Sequence, residues 1–291
     1  MISERNFNEW WERNSADYDA VFFDIDGTLI SGGRALPGAA ELIGSLRGAG
    51  FPFKLLTNDG NHSVDEKSAI MRGRGLDVDS KDIVSCGMAL DTAFAKFGLK
   101  GKEVYAMGLL GTPDFAELAG AIPVRAPERI GECAAVVVGE GTYNWQENIS
   151  AVINYFIAAP DRMMLVPNPD SYWPNGKNGG IGVGAGGKAR FVKTILHEYG
   201  VKIKPVYLGK PYKPVYRRAT RALRESFPDL PKTARGKRIL MLGDSLFSDI
   251  RGAVACGFSA GLVLTGVTSL EQARMAKPSR TPDFVFEKLG A

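Results

Sequence analysis

Short apolar runs alternate with longer amphipathic segments along most of the chain. The run 20–23 is apolar throughout and ends at Asp24, which predicts a strand buried on both faces of a parallel sheet. A helix is predicted over 37–49, because apolar residues recur on one side of it and glycines follow. Further strands are predicted over 51–56, 83–84, 104–107, 134–138, 163–166, 206–208, 239–242, 262–264 and 284–286. This alternation favours an α/β fold with a parallel sheet.

The alternating pattern restarts near Gly87 and resumes its first form near Val206. We therefore predict a Rossmann-like three-layer core built from residues 1–86 and 205–291. Residues 87–204 are predicted to form a large inserted α/β cap domain. Within the insert, 168–187 is rich in Gly, Asn and Pro and is predicted to be a loop. The insert contains 12 basic and 11 acidic residues, which does not suggest a clamp for nucleic acid.

Composition narrows the chemistry that the chain can perform. The net charge is 36 − 32 = +4, which is too small an excess to indicate a nucleic-acid partner. There are only two histidines, so a metal site with several histidine ligands is excluded. Three scattered cysteines favour a reducing compartment. No signal peptide or long apolar stretch is evident, so we expect a cytoplasmic protein without a membrane partner.

Polar side chains follow four of the predicted strands, where a parallel sheet binds ligands. These residues are Asp24, Asp26, Thr57, Asn58, Lys210, Asp244 and Asp249. Clustered carboxylates repel one another unless a cation neutralises them, and oxygen ligands without Cys or His favour Mg²⁺. A lysine and a hydroxyl beside Mg²⁺ suit a phosphate group. One carboxylate is then a candidate nucleophile, and a second, two residues on, a candidate proton donor.

Four segments together resemble the motifs of the haloacid dehalogenase-like phosphohydrolases. They are DIDGTL at 24–29, the Thr57-Asn58 pair in LLTND, GKP at 209–211 and GDSLFSD at 243–249. The likeness covers roughly residues 18–291 and is closest to the class IIA group. That group includes p-nitrophenyl phosphatase-like, phosphoglycolate, pyridoxal phosphate and nucleotide phosphatases. The insert lies between the second and third motifs, as the group's α/β cap does.

The resemblance implies a role for each carboxylate. Asp24 would be the nucleophile and a Mg²⁺ ligand. Asp26 would be the general acid and base, and its backbone carbonyl would bind the metal. Asp244 and Asp249 would complete or support the metal site. The implied cofactor is Mg²⁺.

The resemblance also assigns the phosphate-binding residues, with Thr57, Asn58 and Lys210 holding the phosphoryl oxygens. Asp59 departs from the group, which commonly has a second asparagine there. The implied activity is that of a Mg²⁺-dependent phosphomonoesterase acting through an aspartyl-phosphate. Its substrate would be a small ester such as a sugar phosphate, phosphoglycolate, pyridoxal phosphate or a nucleotide. The group often pairs through its caps, so a homodimer is an expectation.

Three other functions remain open at this point. A phosphotransferase would use the same core, and a regulator would bind a nucleotide or phosphate without turnover. The third is a dinucleotide-binding protein, because Gly182, Gly184 and Gly187 match the GxGxxG spacing. That fingerprint requires a strand before it and an acidic residue about 20 positions later. Neither is predicted here, so we favour a cap loop packed against its own helix.

Two further features have simpler interpretations. Trp10 and Trp11 precede the region of likeness, and we expect them to dock onto the core or onto a partner subunit. Four arginines between 217 and 224 lie on one predicted helix. A solvated helix face is the usual explanation of such a run, and a surface for an anionic partner is the alternative.

Overall fold

A computed structural model describes residues 2–141, 143–174 and 180–290. The strands are, in chain order, β1 (Ile2–Asn6), β2 (Ala20–Asp24), β3 (Ile30–Ser31), β4 (Arg34–Ala35), β5 (Phe53–Thr57), β6 (Ile83–Ser85), β7 (Glu103–Met107), β8 (Ile122–Val124), β9 (Ala135–Val138), β10 (Met163–Val166), β11 (Tyr172–Pro174), β12 (Ile181–Val183), β13 (Val206–Tyr207), β14 (Ile239–Gly243), β15 (Ser259–Val263) and β16 (Phe284–Lys288). The helices are α1 (Phe7–Asn14), α2 (Ala39–Gly48), α3 (Val64–Gly73), α4 (Leu90–Phe97), α5 (Phe115–Leu118), α6 (Trp145–Ala158), α7 (Ala185–Glu198), α8 (Lys213–Ser226), α9 (Arg251–Cys256) and α10 (Leu270–Arg274).

The chain divides into two compact units. The first contains residues 2–57, 64–84 and 210–290, and the second contains 58–63 and 85–209. In the first unit the strand order of the sheet is β1-β16-β15-β14-β2-β5-β6, and the described pairs from β1 to β5 are parallel. Strands β2, β5, β14 and β15 are buried along their whole length, as parallel strands covered on both faces are. The predicted α/β class with a parallel sheet is confirmed.

The N-terminal segment belongs to the first unit. Strand β1 extends the sheet by pairing with β16, and the Asn6 side chain caps α1 by accepting the N–H groups of residues 8 and 9. Helix α1 turns Trp10 and Trp11 into the core, where they are 4% and 7% exposed. Trp10 packs on Phe284 with ring centroids 4.7 Å apart. The expectation that the two tryptophans dock onto the core is confirmed.

The second unit has its own parallel sheet, in the order β13-β10-β9-β7-β8. Helices α6 and α7 cover one face of it, where Val152, Phe156 and Val192 are fully buried. The use of this unit as a cap stays a prediction. Within the part of the chain that the structure describes, no helix combines the length and apolar character needed to cross a membrane.

The prediction of a loop over 168–187 is wrong in part. Strands β11 and β12 form an antiparallel hairpin there, and α7 begins at Ala185, inside the predicted loop. None of the described side chains of these two strands is buried, so they lack the alternation of buried and exposed positions that indicates a strand. Residues 175–179 of the predicted loop lie outside the described residues.

The hairpin and the start of α7 also decide the dinucleotide-binding interpretation. Strand β12 pairs only with β11 among the described residues and is not part of a parallel sheet. A Cβ on Gly184 would lie 2.4 Å from the carbonyl oxygen of Asp170, and one on Gly187 would lie 2.4 Å from that of Ser171. The glycines therefore let the chain before the hairpin lie against α7, as expected for a cap loop packed on its own helix. The dinucleotide alternative is rejected.

Lys188 in the first turn of α7 is an unusual buried cation. It is 2% exposed, and its Nζ has no hydrogen-bond partner among the described residues. The ammonium group lies 4.8 Å from the ring centroid of Tyr143 and 5.4 Å from that of Trp145. Burial lowers the pKa of Lys188 to about 8, although the charge of Glu140 acts in the opposite direction. The folded protein therefore holds this proton less tightly than the unfolded chain does.

We predict that Lys188→Met stabilises the protein near pH 7 and that the gain shrinks as the pH rises. A lysine pKa lowered from about 10.4 to about 8 corresponds to about 3 kcal/mol of destabilisation at neutral pH. Lost cation–π contacts offset part of this, which leaves a net gain of about 1–2 kcal/mol. Between pH 8 and about pH 10 the wild-type lysine loses its proton in the folded state first, so its penalty disappears.

The measurement is urea unfolding of both proteins at about pH 7 and about pH 10. Lys193→Met is the matched control, because Lys193 lies on the exposed side of the same helix. A lower stability of Lys188→Met at neutral pH would contradict this account of the buried ammonium.

Candidate active site

Three of the predicted site residues lie at the carboxyl ends of adjacent parallel strands. Asp24 is the last residue of β2, Thr57 is the last residue of β5, and Asp244 follows the last residue of β14. Strand β2 lies between the other two, with Asp24 opposite Leu56 in the register. The sheet topology therefore brings these side chains to one edge, where α/β proteins bind ligands.

A buried cluster of three carboxylates surrounds one lysine at this edge. Oxygens of Asp24, Asp244 and Asp249 lie within 4.8 Å of one another, and all three residues are buried. The Lys210 ammonium group donates to Asp24 and, over 3.1 Å, to the carbonyl oxygen of Leu56. It also lies 2.8 Å from Oδ1 of Asp249. Lys210 thus contacts groups from β2, from β5 and from the helical turn after β14.

The charges in this cluster are unbalanced. Burial raises the pKa of Asp24 well above its usual value, and the charges of Asp249 and Asp244 raise it further. Burial and the charge of Asp249 raise the pKa of Asp244 to about 6. Burial alone would lower the pKa of Lys210, but Asp24 and Asp249 raise it well above the usual range, so the lysine stays charged. Three ionised carboxylates against one ammonium would leave two negative charges.

The residues present fit a divalent cation such as Mg²⁺. All the candidate ligands are carboxylate oxygens, the donor type that Mg²⁺ prefers. Oδ1 of Asp249 is buried and has no hydrogen bond among the described residues, despite its closeness to Lys210. Lys210 offsets one of the three carboxylate charges, so two remain for a divalent cation to balance. Asp24, Asp244 and Asp249 would hold the ion.

Glycines make room for these carboxylates. A Cβ on Gly266 would lie 1.8 Å from Oδ2 of Asp244, and one on Gly27 would lie 2.5 Å from the same oxygen. Gly27 also has φ +91°, which the sharp turn after β2 requires. A Cβ on Gly243 would lie 2.3 Å from the carboxyl carbon of Asp249. Gly27 and Gly243 lie within the four motifs, whereas Gly266 lies outside them.

Asp26 has a separate environment from the carboxylate cluster. Its side chain is 58% exposed, and Nζ of Lys67 donates to Oδ2 of Asp26 over 2.8 Å. Lys67 is 5% exposed and lies on α3. Sequence reasoning missed Lys67, because no motif includes it and 41 positions separate the two residues. This ion pair fixes the direction of the Asp26 carboxylate.

Asn58 is the first residue of the segment 58–63, which belongs to the second unit. Its amide nitrogen donates to Oδ2 of Asp170 over 3.0 Å, and its carbonyl oxygen accepts from the Cys86 thiol. Asp59 directs its carboxylate to its own loop: Oδ1 accepts the N–H of His62 over 3.2 Å, and Oδ2 lies 2.9 Å from Nδ1 of His62. The negative charge of Asp59 therefore has a local partner.

Comparison with known proteins agrees with this site. Residues 21–121 match the family model of haloacid dehalogenase-like hydrolases, and residues 207–291 match a second model described as haloacid dehalogenase hydrolase-like. Together the two models span the four motifs and more than half of the chain. The chain belongs to the haloacid dehalogenase-like hydrolases, in their class IIA group, as the motifs predict.

Individual relatives cover nearly the whole chain. Ribonucleotide monophosphatase NagD of Escherichia coli is 29% identical over 253 residues, which are 86% of this chain and 89% of that protein. A hypothetical protein from Pyrococcus horikoshii has a crystal structure with a TM-score of 0.77 at 30% identity, covering 92% of this chain and 96% of that one. The glycerol phosphate phosphatase of Mycobacterium tuberculosis, solved in complex with magnesium, has a TM-score of 0.78 at 25% identity, covering 94% and 76%.

We predict that Gly266→Ala weakens Mg²⁺ binding at least about tenfold, which corresponds to about 1.4 kcal/mol. The added methyl group must displace the Asp244 carboxylate, because the two would otherwise lie 1.8 Å apart. Calorimetric titration with Mg²⁺ measures the change. Gly44→Ala is the control, since its Cβ would meet nothing within 4 Å and Ala favours the helix there. Equal Mg²⁺ affinity of wild type and Gly266→Ala, with both folded, would contradict the predicted role of Asp244.

Proposed function

We propose that the chain is a Mg²⁺-dependent phosphomonoesterase that hydrolyses small phosphate esters through an aspartyl-phosphate on Asp24. The observation that carries the proposal is the buried cluster of Asp24, Asp244 and Asp249 around Lys210. Membership of the hydrolase family and the phosphatase names of the relatives support the same reaction. The magnesium complex of the mycobacterial relative supports the choice of ion.

Asp24 is the nucleophile in the first step. One of its carboxylate oxygens attacks phosphorus, the bond from phosphorus to the ester oxygen breaks, and Asp26 gives a proton to that leaving oxygen. Lys210 and the Thr57 hydroxyl hold the phosphoryl oxygens, and Asn58 adds its amide. Mg²⁺, when bound by the carboxylate cluster, offsets the negative charge that otherwise repels the phosphate.

Water completes the reaction in the second step. Asp26, now ionised, takes a proton from a water molecule whose oxygen attacks the phosphorus of the aspartyl-phosphate. The bond between phosphorus and Asp24 breaks, which releases inorganic phosphate and restores both carboxyl groups to their starting states. The exposed position of Asp26 lets it exchange protons with the leaving group and with water, and its ion pair with Lys67 directs the carboxylate.

The substrate is proposed only as a class. The relatives are named for ribonucleotides, glycerol 3-phosphate and dihydroxyacetone phosphate, which are all small phosphate esters. Sugar phosphates, phosphoglycolate, pyridoxal phosphate and nucleotides form the panel to be tested. A cap function for the second unit, pairing of two copies through it and a cytoplasmic location stay predictions.

We predict that Asp24→Asn abolishes phosphate release from every ester of this panel. Asparagine keeps the shape of the side chain but has no anionic oxygen to attack phosphorus, so turnover should fall at least about 10⁴-fold. The measurement is phosphate release with Mg²⁺ and with a chelator, and we expect the chelator to stop the wild-type enzyme.

Asp77→Asn is the matched control, because its side chain is 84% exposed and far from the motifs in sequence. Wild-type rates in Asp24→Asn would overturn the assignment of the nucleophile. Transfer of the phosphoryl group to an added alcohol, in place of release to water, would instead support the phosphotransferase alternative.

Lys67 is predicted to be a positioning residue for Asp26. Lys67→Met should lower kcat about 10- to 100-fold with little change in KM, because Asp26 acts in the chemical steps. Lys67→Arg should recover part of this loss, since arginine can still pair with the carboxylate. Steady-state kinetics on the best ester of the panel measures kcat and KM of each variant separately. An unchanged kcat in folded Lys67→Met would show that Asp26 does not need this ion pair.

A further inference from the structure

A groove in the first unit is not used by the proposed reaction. Helix α8 forms one side of it, and Cys256 and Phe258, at the end of α9 and just beyond, form the other. Its volume is about 730 Å³. Binding sites for small molecules commonly have volumes of about 300–1,000 Å³. A solvated helix face, the usual explanation of a basic run, would not by itself form a concave site of this size.

The wall formed by α8 is strongly basic. Four cations line the groove, Lys213, Arg217, Arg221 and Arg224. At 100° and 1.5 Å per residue they fall within an arc of about 80° and extend over about 16 Å of the helix. A ligand that contacts all of them must therefore carry several negative charges in a row, more than one phosphate group offers.

The acidic residue of the wall, Glu225, forms an ion pair with one of these four cations. Glu225 lies 3.4 Å from Arg221 and also 3.4 Å from Arg218. Neither Lys213 nor Arg217 has an ion pair with any residue that the structure describes. Both cations line the groove together with Cys256. Burial raises the pKa of the Cys256 thiol, and the charges of these two cations act to lower it.

The floor of the groove is aromatic and reaches the carboxylate cluster. Tyr216 packs against Phe258 with ring centroids 6.1 Å apart. The Tyr216 hydroxyl lies 3.3 Å from the carbonyl oxygens of both Ser248 and Asp249. A Cβ on Gly252 would lie 2.1 Å from this hydroxyl oxygen. The hydroxyl group is therefore packed against the backbone of Gly252 as well as against these two carbonyl oxygens. One side chain thus separates the groove from the backbone of Asp249.

We propose that this groove is a second binding site, for a small organic polyphosphate of the nucleoside triphosphate type. The row of cations matches a chain of phosphates, and the apolar aromatic floor matches the remainder of such a molecule. Tyr216 would then lie between the bound molecule and the backbone of Asp249. The site is independent of the proposed phosphatase activity and holds whether or not the chain turns over a phosphate ester.

Cys256 is the reporter in the experiment that tests this proposal. Iodoacetamide alkylation of Cys256 is followed by mass spectrometry at about pH 8.5, where a thiol reacts as its thiolate. Cys86 and Cys133 are 0% and 3% exposed and serve as internal references. The ligands are adenosine triphosphate, inorganic tripolyphosphate and adenosine, each with a chelator present and at constant ionic strength. The chelator removes the Mg²⁺ that the proposed reaction requires, so protection of Cys256 is measured without turnover.

We expect millimolar adenosine triphosphate to slow alkylation of Cys256 about tenfold, because a ligand that saturates the groove covers this thiol. We expect adenosine to have no effect. Equal protection by tripolyphosphate would show that the phosphates suffice, and weaker protection would show that the nucleoside also binds. The double variant Lys213→Glu with Arg217→Glu should lose the protection. Because these cations alter the thiol pKa, the ratio of rates with and without ligand is compared within each variant.

The pair Lys193→Glu with Lys202→Glu is the matched control, since it changes the net charge equally at exposed positions outside the groove. This control should keep the full protection. Absence of protection by millimolar adenosine triphosphate in the wild type would overturn the proposal. Equal protection in the groove variant would also overturn it, because binding would then not involve these cations.

Discussion

The rest of the site depends on the burial of three carboxylates around one lysine ammonium group. Like charges this close are stable only when positive charge and short polar contacts surround them. Lys210 supplies one positive charge and contacts Asp24, Asp249 and the carbonyl oxygen of Leu56 at once. This arrangement links two neighbouring strands and a helical turn. The remaining negative charge is the physical reason for a divalent cation at this edge of the sheet.

Close approach of backbone to carboxylate is the second requirement. Asp244 and Asp249 have almost no exposed surface, and glycines at 27, 243 and 266 leave the space that their carboxylates fill. The N–H of Val267 donates to Asp244 over 2.7 Å, and that of Ser245 donates to Asp249 over 3.1 Å. Backbone donors at glycine-lined positions hold the acids in fixed directions while they remain charged. A rigid set of oxygen ligands follows.

The two units have different relations to their sequence. In the first, three short motifs occur at or just after buried strands, and the parallel order of β14, β2 and β5 brings them together. The GKP motif instead follows β13, a half-buried strand of the second unit's sheet. In the second, the glycines that suggested a dinucleotide site instead allow close packing of the chain onto α7. A glycine in such a motif can allow the close approach of a ligand or the close packing of the chain, and the atoms that surround it decide which. Here those atoms are the carbonyl oxygens of Asp170 and Ser171, so the glycines serve chain packing.

The sequence by itself determined the α/β class, the strands that end in Asp24 and Thr57, and the acidic and basic residues of the four motifs. These are local features, since a strand and the polar residue after it are neighbours in the chain. The tertiary structure alone decided which side chains contact these motif residues. Lys67 pairs with Asp26 across 41 positions, and Asn58 contacts Asp170 across 112. Such contacts depend on how strands and helices pack, and no periodicity or motif in the chain records that packing.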